Sequence, residues 1–302
     1  MDNNEEGFRI DKRRVRRAFD QAAYSYDRVA VLQGEVGKRL LERLEYIRLQ
    51  PRTIVDIGAG TGHLSKALAG RYSQARVIAL DLAPNMLYAA RQNAGTMARL
   101  FRRQSFICAD AEHLSIADHS VDMIFSNLTL QWCSDVTQVF AEFRRIIKPG
   151  GMVLFSSFGP DTLRELRESW AVADKAVHVS AFIDMHDIGD TLLRSGFADP
   201  VMDMERFTLT YPDVFTLMQE LKSLGAHNAT LGRNRSLTGK GRLRAMSSAY
   251  EHYRDKEKLP ATFEVIYGLA WTPSTAEKES GKKGEVKVPL ASLRQRLPGK
   301  NA

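Results

Sequence analysis

An apolar, β-branched run, Thr53-Ile54-Val55-Asp56-Ile57, breaks at once into Gly58-Ala59-Gly60-Thr61-Gly62, and helical spacing begins at His63. Strand, three-glycine turn and helix start, in that order, leave few choices of fold. They describe the first βα unit of an open α/β sheet, in which ligands sit at the strand's carboxyl end and the helix N-terminus. The glycines let backbone N–H groups approach a ligand with no Cβ between. The spacing narrows the ligand further. A dinucleotide fingerprint, G-x-G-x-x-G, needs a glycine where this chain has His63. Asp56 stands just before the turn, and a carboxylate there suits a ligand carrying a cation rather than a pyrophosphate.

The alternation continues beyond this unit. The pattern predicts strands over 75–80, 105–109, 121–126 and 152–157, with helices from Pro84 and over 136–147 between them. Five such units mean a doubly wound, mostly parallel sheet with helices on both faces. Strands over 201–210 and 261–271 complete seven, with a helical insertion at about 211–255 between them. Within the insertion, Tyr211-Pro212-Asp213 opens a helix, 221–238 reads as a loop and 241–253 as a helix. Asp184 reads as the N-cap of a helix ending near Gly196. Ahead of the sheet, a basic helix over 12–27 and a second over 29–47 form an N-terminal lid segment, 1–50. The main domain is 51–271, and 272–302 is rich in Lys, Glu, Ser and Gly and reads as a loose tail.

Composition excludes several classes. No apolar run approaches the ~20 residues of a membrane span, and the polar start Met1 to Asp11 has no signal-peptide core. Two cysteines, Cys108 and Cys133, lie in apolar segments and fit a reducing cytoplasm. Seven scattered histidines give no metal-ligand spacing. A net charge of +7 suits an acidic partner without implying nucleic acid.

Acids recur at the ends of successive strands. Asp81, followed by Leu82, ends the second, where a carboxylate can accept both hydroxyls of a ribose. Asp110 ends the third, where its side chain or the N–H of Ala111 reaches an adenine edge. Taken singly, each also fits a helix-capping role. Jointly, Asp56, Asp81 and Asp110 mark the rim where such sheets bind ligands.

The pattern D-x-G-x-G-x-G resembles the S-adenosylmethionine site of class I methyltransferases. The resemblance implies that Asp56 holds the methionine ammonium, and that Gly58, Ala59, Gly60 and Gly62 pack against its amino-acid part. It also places Asn127 nearest the sulfonium, although Asn127 fits equally as a cap of the short helix after it. Trp132 either walls the transfer site or fills the core.

Longer motifs narrow the family. Phe19-Asp20-Gln21-Ala22-Ala23-x-Ser25-Tyr26-Asp27, Asn127-Leu128-x-Leu130-Gln131-Trp132 and Phe158-Gly159-Pro160-Asp161-Thr162-Leu163 resemble the malonyl-[acyl-carrier protein] O-methyltransferases of biotin synthesis. So do Phe182-Ile183-Asp184-Met185-His186-Asp187, Gly225-Ala226-His227-Asn228 and Phe263-Glu264-Val265-Ile266-Tyr267-Gly268. The likeness covers roughly residues 12–271. It implies methyl transfer to the free carboxylate of a malonyl thioester on acyl-carrier protein or coenzyme A. Such a carboxylate, of pKa ~4, needs no general base. A cation should grip it, with Arg233 the first choice and Arg235, Arg164 and Arg167 as rivals. Tyr24 and Tyr26 belong to the lid. The stretch Asp161-Thr162-Leu163-x-Glu165-Leu166-Arg167 also resembles a respiratory-complex assembly factor thought to hydroxylate arginine. A non-catalytic S-adenosylmethionine binder and a nicotinamide dehydrogenase are further alternatives.

Overall fold

The computed structural model describes residues 10–94, 103–226, 228–232 and 238–274. Its centre is a seven-stranded sheet of order β3-β2-β1-β4-β5-β7-β6. The strands are β1 (Thr53–Ile57), β2 (Arg76–Asp81), β3 (Gln104–Cys108), β4 (Val121–Ser126), β5 (Ile147–Phe158), β6 (Ala198–Tyr211) and β7 (Leu259–Trp271). The first five pair in parallel, and β7 runs antiparallel between β5 and β6. The order reverses beside β1, which leaves a crevice at the carboxyl ends of β1 and β4.

Helices cover both faces because neighbouring residues of a strand point to opposite sides. Ile54 and Met123 join one core with Leu68 of α4 (His63–Arg71). Leu32, Val36 and Leu40 of α3 (Val31–Arg43) complete it. Val55 and Ile124 join the other core with Val139, Phe140 and Phe143 of α6 (Val136–Ile146). Both members of each adjacent pair, Ile54 with Val55 and Met123 with Ile124, are fully buried. Central parallel strands therefore read as unbroken apolar runs.

The expected elements are present, with boundary shifts that have local causes. The N-terminal helix stops early: α1 (Lys12–Ala22) gives way to a turn, and the four-residue α2 (Tyr26–Val29) follows before α3. Strand β5 begins at Ile147 rather than Met152, because Gly150 takes a left-handed φ of 74° and an irregularity in the β4 register absorbs Pro149-Gly150. Helix α8 (Met185–Arg194) starts from Asp184 as predicted, the cap carboxylate accepting from the His186 N–H. Between β6 and β7 lie α9 (Val214–Ser223) and α10 (Lys240–Tyr250). The other helices are α5 (Pro84–Asn93) and α7 (Arg164–Ala173). Thr272, assigned to the tail, is 2% exposed, and its hydroxyl donates to the Lys148 carbonyl at 2.6 Å. Residues 275–302 of that tail lie outside the described residues.

Candidate active site

At the crevice lies an open cavity of about 850 Å³. Of the residues singled out in the sequence, Gly58, Gly60, Asp81, Leu82, Asp110, Ala111, Asn127 and Trp132 stand in its wall. The three glycines differ in purpose, and all have positive φ. Gly60 (φ 53°) faces open space: a Cβ there would meet nothing within 4 Å. A Cβ on Gly58 would run into the Thr129 side chain. Gly62, outside the wall, is the left-handed start of α4, and a Cβ there would lie 2.7 Å from the Ala90 Cβ of α5. Gly60 leaves room for a ligand, Gly58 lines the cavity while its Cα packs on Thr129, and Gly62 serves packing alone. Gly62→Ala should therefore cost about 2–4 kcal/mol from overpacking and left-handed strain, lowering Tm by roughly 3–6 °C in thermal unfolding. An unchanged Tm would show that α4 and α5 separate freely.

Asp81 braces the loop. Its carboxylate accepts from the Gly60 N–H at 2.9 Å and the Ala83 N–H at 2.8 Å. Burial raises its pKa to about 6, and those backbone donors hold it from going higher. Asp56 departs from the expected place. It is 1% exposed, outside the cavity wall, and its carboxylate accepts from the Ser65 hydroxyl at 2.5 Å. Burial, reinforced by the nearby Asp81 charge, lifts it to about 7. On a pleated strand Asp56 points away from the rim and pins the first turn of α4. Ala59 is also off the wall, its N–H turned to the Leu80 carbonyl at 3.0 Å.

Asn127 caps no helix. Its amide donates to the Gln33 carbonyl at 3.1 Å and accepts from the Ser156 hydroxyl at 2.8 Å, joining α3 to the β4 rim. Trp132 stands edge-on to Phe19, 5.2 Å between ring centroids.

The N-terminal segment forms the roof, and most of its contacts were invisible in the sequence. The Asp27 carboxylate accepts from the Thr61 hydroxyl at 2.6 Å and meets His63 Nε2 at 3.0 Å, clamping the segment to the glycine turn. Asp20 accepts from the Asn85 N–H at the start of α5. Lys12 reaches Asp110 at 2.6 Å and Glu112 at 2.9 Å. Asp110, Glu112 and His113 bring possible metal-ligand atoms within 4.8 Å of one another, and the Lys12 ammonium sits among them. Tyr26 lines the cavity, its phenol pKa pushed far up by burial and by Asp81 and Asp27. Tyr24 does not: it is 79% exposed, because the turn after α1 sends the two tyrosines to different sides.

A second cavity, about 790 Å³, abuts the first. The two share Gln33, Gln131, Trp132, Phe158, Leu224 and Ala226. Its wall is largely apolar, with Leu163 just before α7, Leu166 within it and Leu221 from the insertion. At its far end His178 and Val179 continue into an outer surface cavity. Arg164 is exposed beside Glu165, and Arg167, which donates to the Thr162 carbonyl at 2.7 Å, lines only that outer cavity. Arg233 and Arg235 lie outside the described residues.

The profile of a methyltransferase domain matches residues 55–155, from β1 into β5. The malonyl-[acyl-carrier protein] O-methyltransferase of Methylovorus sp. is 50% identical over 270 residues, 89% of this chain and 91% of that one. The protein of the same name from Gallionella capsiferriformans is 49% identical, covering 91% and 95%. The chain belongs to the malonyl-[acyl-carrier protein] O-methyltransferase family. It is an S-adenosylmethionine-dependent methyltransferase. Solved structures share the fold at low identity. The YcgJ protein of Bacillus subtilis superposes with a TM-score of 0.55 at 15% identity, over 78% of this chain and 99% of that one. A Haemonchus contortus phosphoethanolamine N-methyltransferase in complex with S-adenosyl-L-methionine gives 0.52 at 17%, over 84% and 57%. Methyl transfer is the reaction these relatives' names carry, which disfavours the hydroxylase alternative. The first cavity combines an open face at Gly60, a carboxylate with lone pairs to spare at Asp81, and apolar side chains at Leu82 and Met86.

Proposed function

We propose that this enzyme methylates the free carboxylate of a malonyl thioester presented by an acyl-carrier protein. The observation that carries the reading is the pair of cavities meeting at Gln33, Gln131 and Trp132, one beside the glycine turn and one running to the surface. In this reading Gly58, Gly60, Asp81, Leu82, Asp110, Ala111 and Asn127, all in the wall of the first cavity, would hold S-adenosylmethionine. This donor supplies a sulfonium methyl: a carboxylate oxygen forms the new bond to carbon as the carbon–sulfur bond breaks and its electron pair returns to sulfur.

The chain's own residues then have a limited task. A carboxylate of pKa ~4 is already ionised at neutral pH, so no side chain has to take a proton. The walls must align the two reactants and keep water out. Trp132 and Phe158 are placed for that at the seam, and the roof held by Asp27 and Lys12 closes the donor side. The apolar second cavity suits an extended thioester arm, and the positive net charge of the chain suits an acidic carrier. Such a reaction belongs in the cytoplasm, where carrier protein and methyl donor meet. The relatives named for the same substrate support the reading.

The test is incubation with labelled S-adenosylmethionine and malonyl-, succinyl- or acetyl-carrier protein, with product mass as readout. Malonyl should gain one methyl group and acetyl none, since acetyl lacks the attacking carboxylate. Succinyl should be poorer, its extra methylene displacing the oxygen from the line of attack. Malonyl-coenzyme A run beside it separates recognition of the thioester from recognition of the carrier. Equal turnover of acetyl and malonyl thioesters would overturn carboxyl methylation.

A further inference from the structure

We infer that the side-chain amide of Gln33 holds the acceptor carboxylate at the seam of the two cavities, an assignment that rests on the function proposed above. Gln33 lies in the first turn of α3. Two contacts fix that turn: Leu32 is 5% exposed in the core, and the Gln33 carbonyl accepts from Asn127. The side chain is thereby set into the wall of both cavities. Its Oε1 is buried with no hydrogen-bond partner. A buried polar atom without a partner is rare in native proteins, and a 180° turn of the amide exchanges its oxygen and NH2 ends, so this buried position at the junction of the cavities can present a donor to a carboxylate.

Several other polar groups along the acceptor cavity are engaged. Gln131 donates to the Leu128 carbonyl at 2.7 Å, Thr162 to the Glu264 carbonyl at 3.0 Å, and Asn228 to the Val177 carbonyl at 2.6 Å. His178 is paired with Asp174 at 2.8 Å. Among the described residues the wall of this cavity carries no Arg or Lys. A neutral amide donor fits the chemistry. It orients one carboxylate oxygen and leaves the other for attack, whereas a cationic clamp would stabilise the ground-state carboxylate and weaken it as a nucleophile. The position also fits entry from the outer cavity at His178, which leaves the reacting end of the arm at the opposite, inner end.

Two variants test this in the full-length enzyme. Gln33→Met keeps the length and removes the donor. Gln33→Glu keeps the shape and sets a negative charge against the substrate. Methionine should raise KM for malonyl-carrier protein, or lower kcat/KM, by about 10- to 100-fold, the usual range for a hydrogen bond to a charged group. The S-adenosylmethionine Kd by calorimetry should stay within about twofold. Glutamate should lose more acceptor turnover than methionine, which a merely structural role would not produce. Should methionine disturb folding, the glutamate variant decides. Wild-type acceptor kinetics in either folded variant would overturn the assignment, as would a parallel loss of donor affinity. A wild-type enzyme that leaves malonyl thioesters unmethylated would instead sink the proposed function, and this assignment with it.

Discussion

Gly60→Val should lower S-adenosylmethionine affinity by about 100-fold or more in a protein that still folds, because the branched side chain enters the donor cavity. The position differs from its two neighbours in the turn. Gly58 and Gly62 have protein atoms where a Cβ would go, so substituting them attacks packing first. At Gly60 that space is empty, and the residue lines the cavity. Its φ of 53° adds a left-handed strain of about 1–2 kcal/mol in any L-residue, more where the side chain is β-branched. Its N–H donates to Asp81, so a shifted backbone also disturbs that carboxylate. The check is titration calorimetry with circular dichroism on the same sample. Unchanged affinity in a folded variant would remove this loop from the donor site.

Donor affinity should also depend on pH through Asp81, falling about tenfold per pH unit below about 6. The sign follows from the two states of the carboxylate. S-adenosylmethionine carries a net positive charge and presents ribose hydroxyls, both of which favour the ionised form. Binding therefore expels a proton where Asp81 is still protonated in the empty enzyme. Folding responds in the opposite direction. Asp56 at about 7 and Asp81 at about 6 both lie above the ordinary value of 3.8. Their contribution to stability is full below that value and is lost as pH rises through about 6 and then about 7. The empty enzyme thus loses stability from these two groups between about pH 4 and 7, and bound donor offsets the loss. Asp81→Asn should remove the step near pH 6 in the donor Kd and lower affinity at pH 8 by about 10- to 100-fold. Calorimetry in buffers of different ionisation enthalpy reads the proton release directly. A donor Kd independent of pH from 5 to 8 in the wild type would contradict the assignment of Asp81.

The glycine turn, the parallel units and the two late helices were legible in the amino-acid sequence because each is a local matter. Alternation and 3.6-residue spacing are periodic within an element, and a glycine at positive φ declares itself by its identity. The strand-end acids were legible too, although only Asp81 and Asp110 reach the cavity wall. Asp56 sits one residue short of the end of β1, where the pleat turns it inward to Ser65, and no local spacing distinguishes that residue from a rim acid. Tertiary structure alone decided what closes and divides the site. Lys12 meets Asp110 across 98 residues, the Gln33 carbonyl meets Asn127 across 94, and Thr61 meets Asp27 across 34. None of these pairs shares a helix or a hairpin, so no periodicity links them. They form because the packing of α1 and α3 against the sheet leaves the N-terminal segment over the carboxyl ends of its strands. The same packing sets Gln33 where the two cavities meet.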